Sequence, residues 1–449
     1  MKKKIKRNLN INVEYLTRVE GHGNIVVNVK EGRLEECRLD IIESPRFFEG
    51  ILRGRSIFEA QHITSRICGI CACGHSLASI QAAEDALGIV PSEQTVKLRQ
   101  LLLHMEILDS HILHIYLLAA PDLVGAKSFV PLIETHNKVV RRALRMKKTC
   151  NDACDTLVGR HVHPIAAIVG GFTKLPRDKD IDAMLDLLGG MIPDMDATVD
   201  FISTLRFPEF ERDTEYVALV SNDSEYPLLM GDIGSTDGVR MNKKDYKKIT
   251  NEFIVPHSTA KHTKLSRESY AVGALARFNL NYEKLRPKAK EVAATFGMMP
   301  KCVNPYLNTA AQLVESVHCL EDAIAILEGL KNTGIDYREE LVVGLNEHGK
   351  IPVRAGNGVG AVEVPRGVLF HNYEIDGNGV IVHANCIIPT NQNLNNIEYD
   401  MRKLVPEILG KETEKSDEEI TLALEMLVRA YDPCISCSTH MLNVRFINK

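Results

Sequence analysis

The sequence predicts a mainly helical α+β fold, a bundle of long helices with a small N-terminal β-sheet and a metal site joining two distant CxxC pairs. Three observations predict it. Apolar residues alternate near the N-terminus, as Ile25, Val27 and Val29 do. Long stretches further on repeat apolar residues at helical spacing. Cysteines recur in two close pairs, Cys68 with Cys71 and Cys434 with Cys437.

The elements follow in order. Residues 11–43 read as strands, with Glu31-Gly32 as a turn and Leu34, Leu39 and Ile41 resuming the apolar pattern. Residues 56–88 read as helical on both sides of a Cys/Gly-rich interruption. Pro91-Ser92 opens a long helix running to about Ala120, where Pro121-Asp122 stops it. Helical patterns cover 131–158, 179–205, 283–296, 306–332 and 416–430, and short β-like runs flank Gly-rich turns over 341–386. GNGVG at 356–360 reads as such a turn, since its third glycine comes too early for a dinucleotide-binding loop. No repeat or linker interrupts the 449 residues, so a single domain, 1–449, is expected.

Composition narrows the function. A net charge of −5 argues against a nucleic-acid binder, which is usually basic. No apolar run approaches the roughly 20 residues of a membrane span, so none is expected. The start, MKKKIKRNLN, leads into polar alternation rather than an apolar stretch, so no signal peptide is expected and the expected compartment is the cytoplasm. In that setting CxxC points to metal or redox chemistry rather than disulfides.

The pairs RICGIC and DPCISC offer four thiolates, which suit zinc, an iron–sulfur cluster or another thiophilic metal. Zinc ribbons place their pairs about 15–20 residues apart, whereas these stand at opposite ends of the chain. The surroundings argue for catalysis: His75 and His440 follow the two pairs, RVEGHG holds Glu20 and His22, PRFFEG holds Glu49, and EVPRG holds Arg366. A structural zinc needs no such acids, bases and cations, while a catalytic metal uses them for proton transfer and orientation.

RVEGHG, RICGIC with His75, EVPRG and DPCISCSTH resemble, in order and across the whole chain, the signature blocks of nickel–iron hydrogenase large subunits. PRFFE and SHILHIYLL are most similar to the soluble multisubunit branch that includes NAD(P)-linked enzymes and sulfhydrogenases. The resemblance implies that Cys68 and Cys434 are terminal nickel ligands and that Cys71 and Cys437 bridge nickel to an iron carrying carbon monoxide and cyanide. It implies a proton relay at Glu20 from the Cys434 thiolate. Glu49, the backbone carbonyl of Leu394 and His440 would hold a nearby magnesium. Arg366 would overhang the open metal position beside Pro365 and Asp432, His75 would donate to a bridging sulfur, and Thr390 would contact a cyanide. Dihydrogen is the implied substrate. The implied partners are an iron–sulfur small subunit together with flavin/NAD(P)- or ferredoxin-linked subunits, because no further cysteine cluster can carry electrons away. Residues 441–449 would be a cleavable extension; alternating Leu442, Val444 and Phe446 also fit a packed strand. One departure is Ser110, where many membrane-linked relatives have an aspartate.

Other candidates read as structural. His104, His111 and His114 are taken as core histidines, and Cys73, Cys150 and Cys154 as outside the ligand set. His161, His163, His257 and His262 are taken as structural or as supports behind metal ligands. A zinc-stabilised or metal-free structural subunit of a redox complex is the alternative reading.

Overall fold

The computed structural model describes residues 7–339, 351–410 and 415–439. His440, the tail 441–449 and the first part of the expected 341–386 strand region lie outside these.

Strands β1 (Leu9–Val13), β2 (Gly23–Lys30) and β3 (Arg33–Ile41) form an antiparallel sheet in sequential order. Ile25, Val27 and Val29 face the core. Glu31 and Gly32 both have positive φ and join Lys30 to its pairing partner Arg33, the two-residue turn that suits strand twist.

Helix α1 (Ala72–Leu87) begins directly after Cys71. Helix α2 (Glu93–Leu113) starts at Ser92, whose hydroxyl accepts the Thr95 N–H. It does not stop at Pro121. A π-helical stretch, His114–Ala119, carries it into a further turn, Ala120–Leu123, where Pro121 sits near the start and needs no donor. By length and composition alone the span Glu93–Leu123 could cross a membrane, but 78% of its most apolar window is buried in this fold, as in a core helix. It packs against α3 (Asn137–Val158) and, beyond α4 (Asp178–Ser203), against α6 (Asn308–Thr333); α5 (Ala274–Asn281) lies between the last two in sequence and packs on α6.

A mixed sheet unforeseen in the sequence comprises Glu215–Val220, Asp232–Ser235, Arg240–Met241 and Tyr270–Ala271, with Tyr270–Ala271 parallel to the start of Glu215–Val220 and the other pairings antiparallel. A third sheet, β4 (Gly356–Val364), β5 (Gly367–Ile375) and β6 (Ile381–Ile387), is antiparallel. GNGVG is therefore a strand, not a turn. A Cβ at Gly356, Gly358 or Gly360 would strike the carbonyl of Ala86, Ala82 or Ala78 respectively. Two strand residues advance about 6.6 Å and four helical residues about 6 Å, so the three glycines let β4 lie flat along α1. Gly74 extends the match, since a Cβ there would strike Val364. The strand runs antiparallel to the helix and delivers its end, Val364-Pro365-Arg366, to the helix N-terminus.

Two further helices complete the frame. Helix α7 (Pro389–Leu409) was not foreseen and packs under β3; α8 (Asp417–Ala430) opens with a reciprocal Ser416–Glu419 cap.

Candidate metal centre

The four cysteines converge. The sulfurs of Cys68, Cys71, Cys434 and Cys437 all lie within 4.8 Å of one another, and all four residues are buried. Cys68 Sγ is 3.6 Å from Cys434 Sγ. Cys434 and Cys437 are joined as a disulfide, so the metal-binding form is the reduced pair. A hydrogen bond from Cys71 brings Cys68 down to about 7 against the effect of burial, with Arg366 assisting, while Cys71 is pushed up by giving that bond.

The early pair sits at a helix start. Cys71 is the N-cap of α1, and the free N–H groups of Cys73 and Gly74 donate to the Glu106 carboxylate at 2.6 and 3.0 Å. Glu106 is fully enclosed, and burial raises its carboxyl to about 8. Its role on α2 carried no local signal in the sequence. A cleft of about 320 Å³ runs past Gly69, Ile70, Cys73 and Glu106, reaching the segment between the first two cysteines.

The late pair lies in a loop that closes in a single 3-10 turn, Ser436–Ser438, and is held by side chains. Glu20 pairs with Cys434 as an isolated parallel bridge, and Ile435 N–H donates to the Glu20 carbonyl at 2.8 Å. The Glu20 carboxylate lies 3.1 Å from Cys434 Sγ and accepts from Ser436 N–H at 3.0 Å and from the Ser436 hydroxyl. Gly21 explains the glycine of RVEGHG: its φ is +84°, and a Cβ would lie 2.7 Å from Ser436 N. Thr390 Oγ1 accepts the Cys434 N–H at 3.0 Å. Arg46, overlooked in PRFFEG, donates to the carbonyls of Ile67 (2.5 Å) and Ser436 (2.6 Å), clamping the two cysteine blocks together.

Arg366 occupies the tip of the β4–β5 hairpin. Its Nε donates to the Asp432 carbonyl (2.6 Å) and its Nη2 to the Asp432 carboxylate (2.9 Å). Burial alone would lower its pKa, but Asp432 and the Cys71 and Cys68 sulfurs raise it, so it stays charged. Its Nη1 is buried without a partner, a donor left for a bound group. Arg277 anchors the tip through the carbonyls of Val364 (3.0 Å) and Pro365 (3.1 Å) and is itself balanced by Glu315 and Glu363.

The remaining expected site residues are placed less directly. His75 is buried and pairs its Nδ1 with His371 Nε2 at 3.1 Å; His371 in turn meets the Tyr373 hydroxyl at 2.6 Å. Glu49 is buried, accepts the Cys386 N–H at 2.8 Å, and is raised by that burial. Leu394 is buried on α7. His440 lies outside the described residues, but the neighbouring Thr439 carbonyl accepts from Arg46 N–H at 2.7 Å, three residues from Glu49. Ser110 is buried with its hydroxyl unpartnered. His111 and His114 are core residues, bonded to Glu315 (2.8 Å) and Gln312 (2.5 Å); His114 is met at both nitrogens, while His111 Nδ1 is buried without a partner. Cys73, Cys150 and Cys154 stand outside the four-sulfur set.

Four buried cysteine sulfurs, a carboxylate in contact with one of them and an unfilled guanidinium donor describe the site of a thiolate metalloenzyme once the late pair is reduced. The model of the nickel-dependent hydrogenases matches residues 46–139 and 239–440, and a HoxL-like model matches 10–44. The chain is 33% identical over 438 residues to the alpha chain of sulfhydrogenase 1 of Pyrococcus furiosus, spanning 97% of this chain and 99% of the relative. It is 32% identical over 416 residues to the vhu F420-non-reducing hydrogenase chain of Methanocaldococcus jannaschii, spanning 86% and 96%. Among solved structures, an NAD+-reducing [NiFe]-hydrogenase in its H2-reduced state superposes with a TM-score of 0.84 at 26% identity, covering 96% and 99%. The chain belongs to the nickel-dependent hydrogenases, as the catalytic large subunit of a multisubunit nickel–iron enzyme that oxidises or evolves dihydrogen. A zinc-stabilised or metal-free scaffold is correspondingly disfavoured.

Proposed function

We propose that Cys68 and Cys434 are terminal nickel ligands and that Cys71 and Cys437 bridge nickel to an iron bearing carbon monoxide and cyanide. The observation that carries this reading is the four-sulfur cluster with Glu20 at 3.1 Å from Cys434 Sγ. Soft thiolates suit both metals, and the unpartnered Arg366 Nη1 suits a site that receives a ligand above them. When bound, the metals supply the Lewis acidity that polarises dihydrogen.

The chain supplies the proton chemistry. The Cys434 thiolate accepts a proton and passes it to the Glu20 carboxylate already in contact with it. Arg366, whose pKa is raised rather than lowered, acts as a fixed cation and not as a base. Pro365 and Asp432 set its position, and Thr390, which holds the Cys434 backbone, would contact a cyanide of the bound iron. His75 supports the bridging sulfur of Cys71 from one turn along α1. Glu49, the Leu394 carbonyl and His440 would hold a magnesium ion, and Arg46, three residues from Glu49, reaches the Thr439 carbonyl.

We further read the chain as one domain, 1–449, built on a long-helix bundle and working in the cytoplasm. Its partners would be an iron–sulfur small subunit together with flavin/NAD(P)- or ferredoxin-linked subunits, in keeping with the sulfhydrogenase and NAD+-reducing relatives. Residues 441–449 are read as an extension removed after His440 once nickel is in place.

The deciding experiment combines metal analysis with Glu20→Gln. The wild-type protein should hold about one nickel and one iron. The variant should keep both while proton–deuterium exchange slows about 10²–10⁴-fold, the usual size of a general acid–base contribution. Exchange at the wild-type rate would remove Glu20 from the route.

A further inference from the structure

Besides the four cysteines, two groups of potential ligands gather in the described residues: His104, His318 and Asp322, and His257, His262 and Glu398. Only the second contains a buried histidine with both ring nitrogens unmatched. In the first, Arg286 grips Asp322 Oδ1 at 2.9 and 2.6 Å. His318 Nδ1 accepts the Arg286 backbone N–H at 3.1 Å, so its other nitrogen carries the ring proton and has no lone pair to give.

We propose that His257, His262 and Glu398 form a binding site for a borderline divalent transition-metal ion of the zinc type, fastening the 253–262 loop to helix α7. All three ligand atoms lie within 4.8 Å of one another. His257 Nε2 and Glu398 Oε1 are 2.7 Å apart, a hydrogen bond that an ion about 2.0–2.2 Å from each would replace, the pair opening to roughly 3.3–3.6 Å around it. Two imidazoles and a carboxylate match zinc and its neighbours rather than calcium or magnesium, which prefer oxygen throughout.

His262 supplies the independent sign of a missing ligand. It is 1% exposed, yet neither ring nitrogen has a hydrogen-bond partner. Asn395 is a polar neighbour of the ring, and its amide nitrogen donates to the Glu268 carbonyl at 2.5 Å. A buried polar side chain with both nitrogens unmet is unfavourable, and an ion would use its lone pair. Burial, reinforced by neighbouring His257, brings the ring down to about 4, so it is neutral at physiological pH and able to ligate.

The rest of the site is oriented before any ion arrives. Glu398 accepts from Leu39 N–H (3.2 Å) and Arg402 (2.8 Å), the kind of support that fixes a ligating carboxylate. Arg402 also lowers the net negative charge, which sets the affinity below that of a site with an unpaired carboxylate. The His262 and Phe253 backbones exchange two hydrogen bonds of 2.9 Å, closing the loop that carries both histidines. The His257 side chain is 21% exposed and gives the ion a way in. The three residues are separate from the cysteine set and from Glu49, and Glu398 lies two turns along α7 from Thr390. An ion here therefore braces the helix whose first turn holds Cys434.

The test uses the intact, untagged hydrogenase complex with Zn2+ as the probe. Crystals soaked in zinc and measured on both sides of its absorption edge should show an anomalous peak between His257, His262 and Glu398. Calorimetric titration should give one matching binding event per chain. His262→Phe should abolish that event. His257→Gln, at a partly exposed position that tolerates change, should weaken it at least tenfold and covers the case in which His262→Phe fails to fold. No anomalous peak at these residues under saturating zinc, or unchanged binding by a folded variant, overturns the proposal.

Discussion

The two halves of the cysteine site are built by different means. Cys68 and Cys71 stand at the head of a regular helix, fixed by backbone geometry: β4 lies along α1 through Gly356, Gly358 and Gly360, and Glu106 caps the helix start. Cys434 and Cys437 lie in a loop with one 3-10 turn, held by backbone hydrogen bonds to Glu20 and Thr390 and from Arg46, all distant in sequence. The early half is a packed scaffold, and the late half closes onto it. Damage should therefore read out differently: as loss of fold on one side and as loss of metal on the other.

The largest effect should come from the late half. Cys437→Ala removes a thiolate proposed to bridge both metals, so nickel and activity should vanish while the apo chain still folds. Nickel retention with near-normal dihydrogen turnover would contradict the assignment. Next comes the scaffold. Gly360→Val drives a side chain into the Ala78 carbonyl, and because backbone must move, the cost should exceed the about 1–3 kcal/mol typical of overpacking. The expected result is loss of soluble protein or a much lower melting temperature. A normally stable variant would show that β4 does not position α1.

Sequence reading succeeded where local rules decide the outcome. Ser92 capping α2, the Glu31-Gly32 turn and the alternation of Ile25, Val27 and Val29 all follow from neighbours in the chain. It failed where distant contacts decide. GNGVG reads as a turn because glycine disfavours strands, but those glycines answer to a helix about 280 positions away. Helix α7 opens with Pro-Thr-Asn-Gln-Asn-Leu-Asn-Asn, a polar run without an apolar stripe, because its asparagines and glutamine are buried and bond other segments, as Gln392 does with the Val368 carbonyl at 2.6 Å. In the site, the cysteines and Glu20 were legible from pairing and chemistry. Arg46 and Glu106 were not, since each acts on backbone groups remote in sequence.

Thr390→Val sharpens the contrast at smaller scale. It keeps shape but removes the acceptor for the buried Cys434 N–H, a loss of about 1–3 kcal/mol. Because the late half is a closing segment, nickel occupancy should fall while the melting temperature of the apo chain changes little. A drop in melting temperature with full occupancy would place Thr390 in the scaffold instead.

The subtlest test is the pH dependence of the early half. Burial raises the Glu106 carboxyl from 4.5 to about 8, so between those values the folded chain holds a proton that the unfolded chain has released. Where the native state binds more protons, stability declines as pH rises. The contribution is fully present below pH 4.5, falls through the interval, and is gone above about 8. Glu106→Gln cannot titrate, so the wild-type-minus-variant difference in unfolding free energy of the metal-free chain should decrease from about pH 5 to about pH 8 and then level off. The glutamine oxygen can still accept one of the two α1 N–H groups, so the variant should fold. Denaturant curves at several pH values measure the difference, and parallel pH profiles for the two proteins would mean that Glu106 is ionised throughout, capping the helix as a carboxylate.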